Sequence, residues 1–483
     1  MLGEDENADA DIIGGNGRWI HGHWWYKLAH VCQRWRNIVL GSAVYLGVSL
    51  VCTIGTPVAD MLAHSPPLPL IIDYLLDDDD DIAPEDEKGA ILAFMQRDRV
   101  RRVRLAMHAA NLQKLVKAMD DEYPIMEYLI IRLPEEDKSS ILIFPERFQA
   151  PYLRHLYLDG FALPTRSQLL TTSLSLVTIC LLLGHPSTYF HPNTLLRWIS
   201  LIPQLESLSI VFFFPVPNRD AERQHIHTPI MTSFTLPNLR FLRFQGIRSY
   251  LEALLHRIST PRLERFRIDF FNQLTFSVPR LLQFLNTTEN LRFKSAKIEF
   301  SDNDVDVEMY PDEEAEMYTL SIAVNGLHLD WQVSSAAQIF NSLSPAFSAV
   351  EHLNLDHKVH SQSSEEHNEA DPVEWRKLLS SLRNVKTLRI AEGLVEELSC
   401  CLELENGELP LELLPALQEL TYSRSGDTGD VFTSFVDARQ DAGRPFTLVR
   451  RSPSSDRGSS VSIQVEHPSI PSAGDEAVGD LNT

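Results

Sequence analysis

The stretch Leu239-Arg-Phe-Leu-Arg-Phe244 is answered one period later by Leu263-Glu-Arg-Phe-Arg-Ile268, and each follows a proline, Pro237 or Pro261. Both read as an apolar residue, two variable residues, an apolar residue, one variable residue and a third apolar residue. On a short strand the last two apolar side chains fall on one side and the variable ones on the other. Towards the N-terminus the unit recurs as Leu205/Leu208/Ile210, Leu176/Ile179/Leu181, Leu153/Leu156/Leu158, Met126/Leu129/Ile131 and Val100/Val103/Leu105. Towards the C-terminus it continues as Phe293/Ala296/Ile298, Val350/Leu353/Leu355, Val385/Leu388/Ile390 and, weakly, Leu417/Leu420/Tyr422. Pro151, Pro203 and Pro415 open further units, and Leu68/Leu70/Ile72 reads as a capping strand.

Most units are separated by roughly 23 to 35 residues, the range of solenoid repeats. Amphipathic stretches fill the intervals: Met107 to Met119, Leu195 to Leu201, Tyr250 to Ile258, Leu281 to Leu285, Ala336 to Leu343 and Trp375 to Leu382. No single unit can bury its own apolar face, so stacking must do it. The expected fold is α/β: an irregular leucine-rich-repeat solenoid with a parallel sheet on its concave face and helices on its convex face. The asparagine that usually follows the strand in such repeats is missing, so the turns must be satisfied in another way.

Three polar stretches interrupt the array. Asp77 to Asp81, running on to Glu87, is acidic; Ser301 to Glu316 is acidic; Val359 to Pro372 is polar. After the second, Tyr318, Leu320, Ile322 and Val324 alternate like a strand, so a β-insertion is expected near 301–330, filling the gap between the units at 293 and 350. The expected organisation is a polar, disordered 1–17, a helical segment 18–64, the repeat array 65–423, and a largely disordered 424–483 with a terminal strand near Phe446 to Leu448.

Charge and composition narrow the function. Hydrophobic residues make up 44% and charged residues 23%, ordinary for a globular chain, and the formal net charge of −23 argues against nucleic acid or an anionic membrane as the general partner. The five cysteines have neither an even count nor metal-ligand spacing, which suits a reducing compartment, cytoplasm or nucleus. The acidic N-terminus lacks the apolar core of a signal peptide, and the run from Val44 to Val58 is too broken to span a bilayer. Gly14-Gly-Asn-Gly17 lacks the lysine of a phosphate loop, and Asp5-x-Asn7-x-Asp9 lacks the glycine and glutamate of a calcium loop. The pairs His21/His23 and His225/His227 have no third ligand at useful spacing. No catalytic constellation is found, and neither enzyme activity nor a cofactor is expected.

The helical segment carries one further signal. Trp24/Trp25, Leu28, Val31/Cys32, Trp35 and Ile38/Val39 recur at helical spacing as one apolar stripe, closed by Gly41-Ser42. The run Trp25-Tyr-Lys-Leu-Ala-His-Val-Cys-Gln-Arg-Trp-Arg-Asn-Ile-Val-Leu40 resembles the second half of an F-box, whose helix carries Val-Cys-x-x-Trp-Arg before a small turn and a short apolar segment. With the repeats downstream, residues 24 to about 422 resemble fungal F-box-like proteins with irregular leucine-rich repeats. Residues 1–23 contain no Leu-Pro pair and no apolar helix, which form the first half of that motif. The resemblance implies docking on a Skp-type adaptor of a cullin ubiquitin ligase through Leu28, Val31, Trp35 and Arg36, with the repeats holding a target. A repeat scaffold without ligase docking is the alternative.

On the strands, the variable positions should line the concave face. They supply Arg102, Arg104, Arg132, Arg243, Arg265, Arg267, Lys297 and Arg389 against Asp159, Asp269, Glu299, Asp356 and Glu419. Tyr128, Tyr157 and Phe241 should add aromatic contact area. This excess of three positive charges on one face of an acidic protein points to an acidic or phosphorylated protein segment, gripped by arginine forks.

Overall fold

In the computed structural model the described residues are 24–42, 48–76, 82–137, 140–164, 167–214, 233–271, 277–358, 370–403, 413–424 and 431–451. The expectations for 1–17, the histidine pairs, the glycine run, Asp77 to Asp81, most of Val359 to Pro372 and 452–483 lie outside them.

The apolar triplets become strands of one 16-stranded sheet. The first nine are β1 (Leu50–Cys52), β2 (Leu70–Leu75), β3 (Val100–Ala106), β4 (Tyr128–Arg132), β5 (His155–Asp159), β6 (Thr178–Leu183), β7 (Ser207–Phe212), β8 (Phe241–Gly246) and β9 (Arg265–Phe270). The rest are β10 (Ser295–Ser301), β11 (Asp304–Tyr310), β12 (Leu320–Asn325), β13 (His352–Lys358), β14 (Thr387–Ile390), β15 (Glu419–Ser423) and β16 (Thr447–Arg451). Strands β1 to β9 lie in chain order, every neighbour parallel. Val103, Leu129, Leu156, Ile179, Leu208, Leu242 and Phe266 share one register and are nearly inaccessible. They form one continuous core with the apolar faces of the helices, Leu112 and Leu115 or Leu195 and Leu196 for example. Each fully buried leucine or phenylalanine there contributes about 1.5–3 kcal/mol. The fold is therefore an α/β solenoid with leucine-rich-repeat character, helices on one side of the sheet and the variable residues on the other.

Two features lock the repeats together. A carbonyl just before many of the strands accepts two N–H groups of the next repeat: Glu127 from Arg154 and His155, Arg154 from Val177 and Thr178, Glu206 from Arg240 and Phe241, all at 2.8–3.1 Å. The missing post-strand asparagine is replaced by side chains ahead of the strand, which donate to turn carbonyls one repeat earlier. Asn238 Nδ2 reaches Pro203 O (3.1 Å), Asn290 Nδ2 reaches Pro261 O (3.0 Å) and Asn384 Nδ2 reaches Ser348 O (2.7 Å). Several helices open on proline, Pro84, Pro192, Pro279 and Pro372, where the absent N–H is not missed.

The insertion does not sit where its place in the sequence suggests. From β10 the chain turns back at Asp302-Asn303, so β11 and β12 run antiparallel, and it is β12 that pairs with β9. The sheet order is β9-β12-β11-β10-β13, which puts the insertion between β9 and β10 rather than between β10 and β13. The helix Leu329–Phe347 packs against β10, β11 and β12. Its buried Gln332 donates to Ser301 O (2.8 Å) and Gly326 O (2.7 Å), tying both ends of the insertion to the helix.

The ends of the array also differ from the sequence reading. The sheet begins at β1, inside the span read as helical; Leu50 pairs with Leu70. It ends later than residue 423: a helix, Thr433–Asp441, and β16, which is the terminal strand expected near Phe446 to Leu448, form one more unit, with Arg439 wholly buried at its centre. No helix among the described residues is long and apolar enough to cross a membrane.

Candidate binding face

The sheet face away from the helices carries ordered rows, because parallel register places corresponding residues side by side. One row reads Arg102, Tyr128, His155, Thr178, Ser207, Phe241, Arg265. Next to it runs Arg104, Ile130, Tyr157, Cys180, Ser209, Arg243, Arg267, Ser321. The expected residues Arg102, Arg104, Arg132, Tyr157, Phe241, Arg243, Arg265 and Arg267 thus do share one face.

The aromatic side chains are not laid bare as expected. The Arg102 guanidinium lies 4.5 Å from the Tyr128 ring centre, Arg132 lies 5.0 Å from Tyr157, and Arg265 lies 5.2 Å from Phe241. A cation over an aromatic face is attracted by the ring quadrupole, so each arginine covers its ring and is oriented by it. Tyr157 and Phe241 are each 7% exposed. His155 stacks on Tyr128 at 4.4 Å, and its Nδ1 lies 3.2 Å from Thr178 Oγ1. Burial first, then the neighbouring Arg154 and Arg102 charges, hold its imidazole below the usual range, so it sits neutral in the stack.

Nor is the charge excess free. Asp73 takes a bidentate pair from Arg104, with Nε at 2.8 Å and Nη2 at 2.7 Å. Asp269 lies between two arginines, 3.5 Å from Arg243 Nε and 3.2 Å from Arg267 Nε, with all three side chains mostly buried. Asp306 and Glu308 of β11 enter the same face opposite Glu299 and Lys297. Asp73, Asp306 and Glu308 offset the three-charge excess read from the repeats alone; they were missed because the register of β2 and of the insertion is not written in the repeat motif. Burial, followed by the Glu308 charge, pushes the Asp306 carboxyl up to about 8.

A second apolar cluster lies on this face: Ile130, Tyr157, Cys180, Leu182 and Val211, with Phe213 against it. The sequence did carry a signal for it. Thr-Ile-Cys-Leu-Leu-Leu183 and Ser-Ile-Val-Phe212 are continuous apolar runs, the pattern of strands buried on both faces.

At the N-terminus the apolar stripe is broken. Two helices form, α1 (Trp24–Val31) and α2 (Gln33–Gly41), with Cys32 extended between them at φ −163° and ψ 168°. Its carbonyl caps the second helix, accepting from Arg36 N–H at 3.0 Å. The break turns the docking residues in different directions. Leu28 and Val39 pack on the core, whereas Val31 (63%), Trp35 (46%) and Ile38 (47%) are exposed, as is Arg36.

No family model and no curated protein matches the chain. Among solved structures, the leucine-rich repeat-containing protein LegL7 from Legionella pneumophila aligns over 82% of this chain and 98% of its own, at 12% identity and a TM-score of 0.25. The TLR13–ssRNA13 complex aligns over 80% of this chain and 52% of its own, at 10% identity and a TM-score of 0.27. Likenesses at that level say nothing of partners. The leucine-rich-repeat-like fold stands on the strand order and register described above. Among the described residues, no three His, Cys, Asp or Glu side chains are grouped to hold a metal ion.

Proposed function

We propose that the chain is a protein-binding recognition subunit: its N-terminal helices dock a Skp-type adaptor of a cullin ubiquitin ligase, and its helix-free sheet face holds the target. The observation that carries the first half is the exposure of Val31, Trp35 and Ile38 on two short helices that pack Leu28, Val39 and Leu40 against the solenoid core. Large apolar side chains left exposed on adjacent short helices are what a docking contact would cover. The F-box resemblance supplies the adaptor as partner. On this reading the protein contributes proximity between target and ligase rather than bond chemistry.

The second half rests on the arginine rows. Arginines already oriented over rings lose little freedom on gripping a carboxylate or phosphate, which favours an acidic or phosphorylated target segment. A rival reading, a repeat scaffold with no ligase docking, is favoured by the break at Cys32, which divides the docking residues between two helices.

The test is a pull-down of the full chain against purified Skp-type adaptor, wild type beside Trp35→Ala. Because Trp35 is half exposed, the variant should keep its fold. Adaptor captured by wild type and lost in the folded variant supports the ligase reading; no capture by either leaves the scaffold. Target capture is tested with Arg102→Glu/Arg265→Glu, since these two arginines lie over rings. Reversing Arg243 and Arg267 instead would crowd carboxylates around Asp269 and confuse binding with unfolding.

A further inference from the structure

The loop from Pro311 to Thr319, between β11 and β12, bears Asp312, Glu313, Glu314 and Glu316 in close succession. In the sheet, β11 is separated from β14 by β10 and β13. Three strand spacings of about 4.8 Å make that gap roughly 14 Å. The loop nevertheless crosses it: Glu313 pairs with Arg389 of β14, and its Oε2 lies 3.4 Å from His352 Nδ1 on β13. Beneath the loop is a cavity of about 190 Å³ whose lining includes Lys297, Tyr310, Glu313, His352, Asn354 and Arg389.

The pairing is incomplete in an informative way. Arg389 gives Nη2 to Glu313, but its Nε is buried and has no hydrogen-bond partner. A guanidinium edge offers Nε and Nη together to a carboxylate or phosphate in a two-pronged fit, and Arg104 shows that fit with Asp73 elsewhere in this protein. Glu313 therefore engages one prong of the Arg389 guanidinium and leaves the other without a partner. It does so from an exposed loop, as a tethered ligand whose effective concentration is set by the loop's short length.

We propose that Arg389 and His352, with Asn354 beside them, form a carboxylate-binding pocket for an acidic segment of a partner protein, and that Glu313 holds the pocket closed in the free protein. The inference deepens, and rests on, the reading that this sheet face takes acidic protein segments. An incoming carboxylate gains the second prong on Arg389, and the loop's own glutamate is released to water at little cost because it is already exposed. Capture of the segment and displacement of the loop are then one event, so the loop's charge sets the threshold for binding.

The experiment is fluorescence anisotropy with a labelled octa-glutamate peptide at low salt, on the full chain. Wild type is compared with Glu313→Gln and Glu313→Gln/Arg389→Gln, each checked by circular dichroism. With the tethered competitor removed, Glu313→Gln should bind about five-fold to ten-fold more tightly than wild type, and the second substitution should abolish the gain. If Arg389→Gln fails to fold, His352→Gln in the Glu313→Gln background replaces it and should remove most of the gain. Equal affinity of wild type and Glu313→Gln, or a gain that survives loss of Arg389, overturns the pocket. If in that case Arg102→Glu/Arg265→Glu still weakens the peptide, the wider reading of the face stands without it. No binding by any of these proteins overturns the pocket, and with it the preference of the face for acidic segments.

Discussion

Replacing Asp306 with asparagine should flatten the pH dependence of stability above the ordinary carboxylate range. Asp306 lies on β11 between Glu299 of β10 and Ala323 of β12, and its Oδ1 accepts from Ser321 Oγ at 3.0 Å. Burial, the charges of Glu308 and Asp269, and only partial relief from Arg267 raise its pKa from 3.8 to about 8. Between those two values the folded protein holds a proton that the unfolded chain has lost. Stability from this group is therefore fully present below pH 3.8 and is lost as the pH rises towards 8. The full slope would be about 1.4 kcal/mol per pH unit, or ~2.7 kcal/mol between about pH 5 and pH 7. Asp306 keeps some accessible surface, and water there screens the effect, so about half of that, ~1.4 kcal/mol, is the expected loss.

Asparagine has the same shape and still accepts from Ser321, but it does not titrate. Urea unfolding of wild type and Asp306→Asn at about pH 5 and pH 7 isolates the contribution of Asp306 and the groups coupled to it, because groups far from it cancel in the difference. The gap between the two proteins should shift in favour of asparagine by about 1–2 kcal/mol across that interval. Hydrogen exchange at β11 and β12 should show the same trend locally, since opening in a solenoid need not be global. Parallel stability curves would refute the reasoning, for they would mean that Asp306 is ionised in the folded protein at pH 7.

Arg439 is fully buried, donates to the carbonyls of Leu413, Leu414, Leu417 and Arg444 at 3.1–3.4 Å, and lies over the rings of Phe435 and Phe446. Arg439→Met should cost about 2–4 kcal/mol, confined to the last unit, because those carbonyls lose their donor; hydrogen exchange should rise in β16 and stay unchanged in β3 to β9. Gly160 follows β5 at φ 75°, and a Cβ there would overlap Leu133 Cδ1. Gly160→Ala should therefore lower stability by about 1–3 kcal/mol, seen as a drop in Tm without change in the adaptor pull-down. Trp375→Phe removes the indole donor to Glu397 (3.1 Å) while keeping an edge contact to Phe300, and should cost about 1 kcal/mol in urea unfolding against roughly 3–5 kcal/mol for Trp375→Ala.

The parallel array was legible because each unit repeats the same local instruction, and register then follows from stacking. What was not legible depends on contacts the repeat motif does not encode. Strand β1 is Leu50-Val-Cys52, buried at all three positions, so it shows no alternation to distinguish it from a helical segment. The last unit carries few apolar residues, Phe432, Phe435 and Leu448 among them, and its buried arginine reads in sequence as a surface residue. The break at Cys32 leaves the helical spacing of Trp24 to Val39 intact on paper while dividing it in space. At the binding face, individual arginines were readable by alternation alone, but their partners Asp73 and Asp269 and the covering of Tyr157 and Phe241 required knowing which strand lies beside which.

The reversed insertion decides how that face can be used. Strands β3 to β9 present arginines whose carboxylate partners, Asp73 and Asp269, leave Arg102, Arg132 and Arg265 over rings. The next strands present Asp306 and Glu308, then Lys297 amid Glu299 and Asp356, under the acidic loop. Had the insertion followed β10 in the sheet as it does in the chain, Lys297 would have continued the arginine row beside Arg267, and the face would read as one basic tract. With β12 and β11 in between, the arginine row ends at β9, where Arg267 pairs with Asp269, and the carboxylates of β11 follow. A uniformly acidic segment laid along the strand-to-strand direction meets attraction at β3 to β9 and repulsion at β11. On the proposed reading, the segment that fits would be acidic over β3 to β9, neutral or basic over β11, and acidic again at Arg389 once Glu313 is displaced. That alternation is a sharper criterion for recognising a partner than the protein's overall charge, which favours no particular partner.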